Sequence, residues 1–385
     1  MICCEVVTKP SGIFPYRDVW NSLFNSGAYE VSTSFEWTHA LLTTHLNKND
    51  LFVLIIIKDS EEVVGIVPLI VNETKKYGQS INTLFPISEY YNTHSDILLK
   101  YQSEQVVGAF IACLSEIKNN WDVFRVGRFV ETNPTIKPIE TYLKKTSMKY
   151  SFSKEDPSFF VALDDTYSAY LKKRSGKFRN HLKRMKKKLA ALGHVRLVRL
   201  GDFNSLTAAY ERLLHVEEKS WKYCHGTAII NVKKQEKFYR ELCEYEYGTG
   251  RLHLLFLYLD ELAVAYNLGV LKDNKYLYLK TSFDEEFKKA SPATVLRAEL
   301  IKELTSKGIE YFDFPGEPYE WERQWADDIQ WHKSLIIYNN TFKAKLFSFY
   351  NTVRSKRKNT DSKDQINYHN PLDVKDKKVK HSLIS

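Results

Sequence analysis

Asp313 is the residue whose neighbours in the sequence best suit acid–base chemistry. It lies in the strand-like segment 311–314, between two phenylalanines. A carboxyl group enclosed by aromatic rings at the end of a strand is predicted to have a raised pKa, which would suit a general base. The alternative is a carboxylate that faces solvent or caps the turn at Pro315 and Gly316.

A loop rich in aromatic residues follows Asp313. The faces of Tyr319, Trp321 and Trp325 are of the kind that stack on sugar rings, and Glu317 could bind hydroxyl groups. These residues are therefore candidates for substrate binding. For each of them, a role in anchoring the loop is equally compatible with the sequence. His332, which comes shortly afterwards, is expected to be structural.

Two adjacent acidic residues, Glu217 and Glu218, come near the end of a predicted helix, beside Trp221. One of them could act as a base or bind an acceptor hydroxyl. We expect Glu217 to be solvated, which leaves Glu218 as the catalytic candidate and Trp221 as a candidate for substrate binding. A solvated pair with no function is the alternative.

Lys280 ends an alternating strand that begins at Tyr276. Because side chains alternate along a strand, Tyr276, Tyr278 and Lys280 are predicted to share one face. Such a face could line a sugar-binding cleft, with Lys280 contacting the substrate. It could equally be an ordinary exposed face.

A strongly basic helix is predicted near the middle of the chain. Residues 172–188 contain ten Lys and Arg residues and no acidic residue. Ser175 is expected to cap the helix and Gly193 to end it. Near its start, Arg174, Lys177 and Arg179 could contact phosphates of a substrate or cofactor, or could form a solvated face. The apolar stripe is predicted to comprise Phe178, Leu182, Met185, Leu189 and Leu192.

The composition argues against several classes of protein. The formal net charge is +9, but the excess is confined to the basic helix and the tail, so general DNA binding is not expected. No segment contains the roughly 20 apolar residues of a membrane span, and no secretion signal is recognisable. The five cysteines form neither pairs nor a metal-ligand cluster, which favours reduced thiols in the cytoplasm.

Two segments of the chain share the same order of elements. Residues 51–70 and 252–270 each have the pattern of strand, charged turn and strand, and a helix and a further strand come later in both halves. The match indicates a duplicated fold, although it could be coincidental. We predict an α/β (α+β) protein with two mixed sheets flanked by helices. The predicted divisions are 1–150, 151–350 and a basic, mostly disordered tail, 351–385, with 131–138 linking the halves.

An ordered set of motifs occupies the second half: SGKFRNHLKRMKKKL, EEKSWK…GTAI, FYREL, RLHLLFLYLDELAVAYNLGV, YLYLKTSFDEEFKKASPATVLRAELI and GIEYFDFPGEPYEWERQWADD. The set strongly resembles the CelD-like (cellulose-biosynthesis-type) acetyltransferases of the GNAT superfamily, closely over residues 155–335 and loosely in the first half. The resemblance implies a tandem GNAT-like fold that transfers an acyl group to an amino sugar or to a polysaccharide or cell-envelope precursor. It also implies that Tyr319 is the general acid.

One departure from the GNAT pattern concerns the acyl donor. GNAT domains hold the pyrophosphate of coenzyme A with a Gly-rich loop at a helix start, but the corresponding segment here, 288–294, has no glycine. Ser291 before Pro292 is predicted to cap the helix, which is an alternative role for the segment. The residues expected to bind acetyl-CoA or another acyl-CoA are Lys288, Lys289, Ser291, Ala293 and Thr294.

Two other functions stay open. The same pattern resembles the Fem-type transferases, which implies an aminoacyl-tRNA donor and a peptidoglycan precursor; apart from tRNA, no nucleic-acid partner is expected. The third possibility is a non-catalytic protein that binds carbohydrate or nucleotide. The first half is expected to have a supporting role. Its segment 90–96 could line the cleft between the halves, although His94 and Asp96 are more readily explained as polar groups bonded within their own loop.

Overall fold

The computed structural model describes residues 1–361 except 77, 92, 164–165 and 317. The strands are β1 Ile2–Val7, β2 Leu51–Asp59, β3 Glu62–Lys76, β4 Gln79–Pro86, β5 Leu98–Leu99, β6 Val123–Val130, β7 Lys149–Ala162, β8 Val195–Arg199, β9 Leu252–Leu259, β10 Leu262–Lys272, β11 Lys275–Phe283, β12 Tyr311–Phe314 and β13 Asp328–Tyr338. The helices are α1 Arg17–Asn25, α2 Phe35–Thr44, α3 Glu104–Glu116, α4 Ile136–Lys144, α5 Tyr167–Lys173, α6 Gly176–Ala190, α7 Leu206–Glu218, α8 Trp221–Cys224, α9 Lys233–Gly248, α10 Pro292–Ser306, α11 Glu320–Arg323 and α12 Phe342–Asp361.

Two equivalent hairpins begin the repeated unit. β2 pairs antiparallel with β3, and β9 pairs antiparallel with β10. In each turn the first loop residue, Ser60 or Asp260, has a positive φ, 55° or 52°. The apolar runs of β2 and β9 are buried because helices cover the sheet on both faces. The predicted repeat therefore extends to the geometry of the turns.

The two halves share one mixed sheet. Its strand order is β1-β2-β3-β4-β6-β13-β7-β12-β11-β10-β9-β8, with β5 beside β3. The predicted fold class is confirmed, and the two predicted sheets are the two ends of this continuous sheet. The order is nearly symmetric about the β13–β7 pair, as expected of a duplication.

The halves are joined by an exchange of strands. β7 follows the first half but pairs with β12 of the second half, whereas β13 closes the second half but pairs with β6 of the first. β7 and β13 also pair with each other along most of their length. Residues 131–138, predicted as the link, instead lead into α4 within the first half. The predicted tail begins inside α12, and residues 362–385 lie outside the described part of the chain.

Three large apolar cores surround the sheet. One contains residues of α1, α2, α7 and α9 and extends across both halves, with Trp37 against Phe238 as one of its contacts. A second packs α3 and α4 on the first half, and a third packs α6 and α10 on the second half. Burial of each large apolar side chain contributes about 1.5–3 kcal/mol to folding. The shared core fixes the loops of the first half against the second half.

Each half has a pair of parallel strands that separate. The β11–β12 pairing covers three residue pairs and ends at Leu277 and Asp313, while β11 continues to Phe283. We call the gap beyond this pair the crevice. In the first half, β4 and β6 form two pairs, and Ser95 then lies beside β6, donating its N–H to the carbonyl of Arg128 at 3.2 Å. The chain itself therefore fills the equivalent gap of the first half.

Candidate active site

The crevice is lined by aromatic rings on the face covered by α10. Tyr278 of β11 and Phe314 of β12 are buried, with ring centroids 5.4 Å apart. Trp321 of α11 packs edge-on against Phe314 at 5.6 Å. Arg297 of α10 places its guanidinium 4.0 Å from the Trp321 ring. Any polar group near this end of the crevice is therefore surrounded by largely apolar walls.

Glu322 places a buried carboxyl group beside these residues. Its side chain is 4% exposed, and one oxygen accepts the backbone N–H of Tyr319 at 3.0 Å. Burial raises the pKa of Glu322 to about 7; the Tyr319 N–H and the charge of Arg297 oppose this shift, and the charge of Asp313 adds to it. Glu322 can therefore accept or release a proton near neutral pH. Glu322 was not among the predicted site residues, although its position between Trp321 and Trp325 was an available signal.

Asp313 is buried but does not have the raised pKa predicted for it. One of its oxygens lies 2.9 Å from Nε2 of His94 and 2.7 Å from Nζ of Lys275. Burial alone would raise the pKa of Asp313, but the charges and hydrogen bonds of His94 and Lys275 outweigh burial and lower it. That prediction was wrong because both partners are distant in the sequence. Asp313 is a fixed negative charge and a weak base.

A chain of buried hydrogen bonds connects Asp313 to the last strand. Nδ1 of His94 lies 3.0 Å from Nε2 of His332, and Nδ1 of His332 lies 3.0 Å from the carbonyl oxygen of Asp156. Burial and, to a smaller extent, the charge of His94 lower the pKa of His332 to about 3. The segment 90–96 thus does lie between the halves, and His94 bonds outside its own loop.

Lys280 does not share a face with Tyr276 and Tyr278. The strand register pairs Leu268 with Lys280 but Gly269 with Tyr278, so Leu279 is a bulge. A bulge changes the alternation of side chains along a strand. The tyrosines pack beneath α10, whereas Lys280 lies 5.3 Å from the ring of Tyr239 on α9. The predicted common face was therefore wrong.

The surroundings of Lys280 depress its basicity. Burial lowers the pKa of Lys280 to about 8, and the charge of Lys222 contributes, while Glu217 opposes the shift. Nζ of Lys222 donates to the carbonyl oxygen of Thr281 at 2.5 Å and lies 3.8 Å from Glu217. Two lysines and a carboxylate thus meet on the face of the sheet opposite α10.

The acidic pair is placed opposite to expectation. Glu217 is fully buried and accepts hydrogen bonds from the Tyr266 hydroxyl at 2.6 Å and the Ile229 N–H at 2.9 Å. Glu218 is 45% exposed and faces His215 at 3.5 Å. Because α7 turns by 100° per residue, only one of two adjacent residues can face the core. Trp221 begins α8 and is 45% exposed, which leaves it accessible to a substrate.

The basic helix forms as predicted, but Arg174 is part of the core. Ser175 caps α6 by accepting the Phe178 N–H at 3.1 Å. Arg174 is 7% exposed, donates to the carbonyl of Trp325 at 2.7 Å and forms an ion pair with Asp327. These contacts occupy its two terminal nitrogens, which corrects the predicted phosphate role.

The rest of the predicted phosphate-binding set lies on the surface. Lys177 is exposed, and the exposed Arg179 donates to the Arg174 carbonyl. The helix ends at Ala190, before the predicted Gly193, so Leu192 falls outside the apolar stripe and is exposed. The predicted stripe is otherwise buried.

The start of α10 has the predicted charge but a different cap. Lys288 and Lys289 are exposed, and Lys188 of α6 reaches the carbonyl oxygen of Lys289 at 3.4 Å. Ser291 has a left-handed backbone, φ 48°, and its side chain makes no cap hydrogen bond, which corrects the predicted capping role. A left-handed conformation is rare for residues other than glycine. The loop therefore adopts a glycine-like backbone without a glycine.

These residues fit the phosphates of coenzyme A in charge and position. Three lysines lie near the first turn of α10, where the helix dipole favours an anion. Pro292 has no N–H, and the N–H groups of Thr294 and Val295 donate to the Ser291 carbonyl at 3.0 and 3.2 Å, which leaves the N–H of Ala293 for a ligand. The partly buried Ala293 and Thr294 belong to this turn. The crevice leads from there to Glu322.

Of the predicted residues in the aromatic loop, one is buried and one is exposed. Trp325 is fully buried against Phe178 and Arg297, so it cannot stack on a sugar at the surface, and that prediction was wrong. Tyr319 is 60% exposed and its ring is parallel to that of Trp321, 6.3 Å away. Glu317 lies outside the described residues. Among those that are described, no helix is long and apolar enough to cross a membrane.

Comparison with protein families identifies the domain that contains this site. Residues 176–323 match the profile of the acetyltransferase (GNAT) domain. The match runs from α6 to α11 and includes the crevice. The match agrees with the predicted resemblance to the GNAT superfamily over this part of the chain. A search of curated proteins found no match.

Solved structures share the fold across almost the whole chain. FemX is 10% identical, with 87% of this chain and 97% of that chain covered and a TM-score of 0.59. The C-terminal domain of a candidate lysylphosphatidylglycerol synthetase from Agrobacterium fabrum is 11% identical, with 90% and 97% covered and a TM-score of 0.53. A conserved protein of unknown function from Bacteroides thetaiotaomicron is 12% identical, with 88% and 100% covered and a TM-score of 0.52. At these identities the likeness concerns the fold alone.

Proposed function

We propose that this protein is a GNAT-type N-acyltransferase that moves an acyl group from acetyl-CoA or another acyl-CoA to an amino sugar or a polysaccharide or cell-envelope precursor. The observation that carries the proposal is Glu322. It is a buried carboxyl group with a pKa of about 7, at the crevice of a domain that matches the acetyltransferase profile. A base in this range is suited to take a proton from an acceptor at neutral pH.

The donor would bind by its phosphates at the start of α10. Lys188, Lys288 and Lys289 supply positive charge there, and the N–H of Ala293 in the first turn of α10 supplies a hydrogen bond. The bound thioester supplies an activated acyl carbon. The left-handed backbone at Ser291 supports close approach of the loop to an anion in place of the missing glycines.

Glu322 would move the proton during transfer. The acceptor nitrogen forms a bond to the acyl carbon, the carbon–sulfur bond breaks with its electron pair on sulfur, and the proton from nitrogen passes to Glu322. Tyr319, whose N–H holds Glu322, is the proposed proton donor to the sulfur. Asp313 takes no proton and keeps Glu322 basic by its negative charge.

The acceptor would approach from the face of the sheet opposite α10. Lys280 and Lys222 lie there beside the buried Glu217, and Trp221 is exposed nearby on the same short helix as Lys222. Ammonium groups and an indole ring suit a sugar that carries hydroxyl groups or phosphates. Opposite entry of donor and acceptor would bring them together in the crevice.

We propose that the first half supports the second, with residues 151–350 as the catalytic domain. Ser95 fills the gap between β4 and β6 where a donor would otherwise enter. His94 from the same loop holds Asp313 of the second half. A cytoplasmic location, the expected compartment for acyl-CoA, is compatible with five free cysteines.

The test uses purified full-length protein with acetyl-CoA and a panel of nucleotide amino sugars. Release of free thiol is followed, and acylated products are identified by mass spectrometry. We expect release that depends on one acceptor and is lost in Glu322→Gln. The matched control is Glu320→Gln, an exposed acid on the same short helix. If no acyl-CoA binds in calorimetry and no thiol is released, the proposal is wrong.

A second candidate is a Fem-like transfer from aminoacyl-tRNA. The observation that favours it is the exposed basic face of α6. Among the described cations of this helix, Lys186 forms an ion pair, with Glu299, and the others form none. Such a face suits the phosphates of an RNA. In filter binding, Lys183→Glu with Lys187→Glu should weaken binding of charged tRNA and reduce its salt dependence. Transfer of the amino acid to a peptidoglycan precursor would establish this function; absence of both binding and transfer would exclude it.

A further inference from the structure

Arg297 is a buried cation that makes no direct ion pair among the described residues, although its charge acts on the nearby carboxyl group of Glu322. Arg297 is 4% exposed and lies between three aromatic rings, those of Tyr278, Trp321 and Trp325. One terminal nitrogen donates to the Tyr278 hydroxyl at 2.9 Å, whereas Nε has no hydrogen-bond partner. Among the described residues it has no ion pair within 4.0 Å. A guanidinium stacked on an indole presents its donors at its edge, where a planar anion can pair with two of them.

Further unsatisfied polar groups lie on the same side of the sheet. Asn267 of β10 is fully buried, and neither its amide oxygen nor its nitrogen has a partner. It is opposite Thr281 in the strand register, so the two side chains share a face. Thr281 in turn contacts the Tyr278 side chain. A polar path thus leads from Asn267 through Thr281 and Tyr278 to Arg297.

Buried polar groups without partners, such as those of Arg297 and Asn267, lower the stability of the protein when no ligand is bound. A buried polar group left unpaired costs about 1–3 kcal/mol, and a buried charge costs more. Apolar residues at these positions would avoid the penalty. The arrangement is therefore better explained by a ligand that pairs with Arg297 than by a contribution to stability.

The position of Arg297 indicates which part of a ligand it would meet. It lies about one and a half turns into α10, below the start of the helix where the donor phosphates would bind. It is also beside Tyr278, the first β11 residue beyond the last β11–β12 pair. A donor anchored by its phosphates at the open end would extend its acyl group towards this narrow end. An acyl group that ends in a carboxylate would reach Arg297.

We propose that Arg297, with Tyr278 and Asn267, forms a subsite for a carboxylate on the acyl group of the donor. The inference rests on the proposed acyl-CoA function and specifies its substrate class: thioesters of dicarboxylic acids, such as succinyl-CoA, in preference to acetyl-CoA. The carboxylate accepts hydrogen bonds from the guanidinium edge of Arg297 and from the amide N–H of Asn267. The carboxylate takes no part in the bonds that form and break at the thioester.

Calorimetry with the full-length protein tests this subsite. Coenzyme A, acetyl-CoA and succinyl-CoA are titrated into the natural protein, Arg297→Gln, Asn267→Leu and the control Arg196→Gln, which changes an arginine on β8 that is paired with Glu261. A charge-assisted pair in a buried site predicts that succinyl-CoA binds at least about tenfold tighter than acetyl-CoA. Arg297→Gln should abolish this preference, and Arg196→Gln should keep it.

Asn267→Leu keeps the test decisive if Arg297→Gln does not fold. It replaces an unpaired amide by an apolar side chain of similar size, so it should raise the thermal midpoint while weakening succinyl-CoA binding. Equal affinity for acetyl-CoA and succinyl-CoA, or an unchanged preference in the variants, would overturn the subsite but leave acyl transfer intact. Failure of all three coenzyme A compounds to bind would instead refute the proposed function on which the subsite rests.

Discussion

Replacing Glu322 by Gln tests the proposed chemistry most directly. The amide keeps the shape of the carboxyl group and can still accept the Tyr319 N–H, but it cannot take up a proton at neutral pH. Loss of a general base lowers kcat by about 10²–10⁴-fold. Binding of acyl-CoA should be unchanged, because Glu322 touches neither the start of α10 nor its lysines.

The pKa of Glu322 also predicts the direction in which activity changes with pH. With a pKa of about 7, Glu322 is protonated at low pH, so kcat/KM should rise about tenfold per pH unit below 7 and level off above it. Asp313→Asn removes a negative neighbour and should move the midpoint to lower pH. Arg297→Gln removes a positive neighbour and should move it to higher pH. Each shift should be about 1 unit.

The assay is thiol release at acceptor concentrations well below KM, between pH 5.5 and 9, with circular dichroism as the check on folding. Opposite shifts in the two neighbour variants identify Glu322 as the titrating group. The reasoning would be refuted by a midpoint that is the same in the natural protein, Asp313→Asn and Arg297→Gln, or by a Glu322→Gln variant with full activity. Residual activity with the same midpoint would point to a different base.

The same pKa predicts a change in stability. Burial raises the Glu322 pKa from 4.5 to about 7, so the unfolded chain releases this proton at lower pH than the folded protein does. Stability from this group is therefore present below pH 4.5 and is lost as the pH rises to 7. The shift corresponds to about 3 kcal/mol. In urea unfolding, the free energy of unfolding of Glu322→Gln relative to the natural protein should increase by about 3 kcal/mol between pH 4 and pH 8.

Three further predictions concern the supports of the site. His94→Ala should lower the free energy of unfolding in urea by about 3 kcal/mol, because the buried Asp313 loses one of its two partners; a change below 1 kcal/mol would contradict this. Gly269→Ala should cost about 2 kcal/mol, since a Cβ there would lie 2.7 Å from the Leu277 carbonyl oxygen and against the Tyr276 ring; Gly201→Ala, with open space around it, is the control. Lys280→Met should raise KM for the acceptor but not for acyl-CoA, and equal changes in both would exclude an acceptor role.

Much of the fold was accessible from local sequence patterns. The hairpins at 51–70 and 252–270, the capped basic helix and the helix after Ser291 are each specified by residues within one or two turns of each other. Periodicity of apolar side chains and short-range capping are local, so the sequence displays them directly. The GNAT resemblance of the second half rests on the same ordered local motifs.

The site depended on contacts between residues far apart in the chain. His94 and Lys275 fix the charge of Asp313, and no local pattern announces either partner. A bulge at Leu279 reversed the expected face of Lys280, because the alternation rule assumes a regular strand. Glu322 owes its raised pKa to burial in the crevice, which forms only when β11 and β12 separate. By itself the sequence determined the elements and their repeat, whereas the charge state of each candidate residue was decided by tertiary packing, since desolvation and neighbouring charges are properties of the assembled fold.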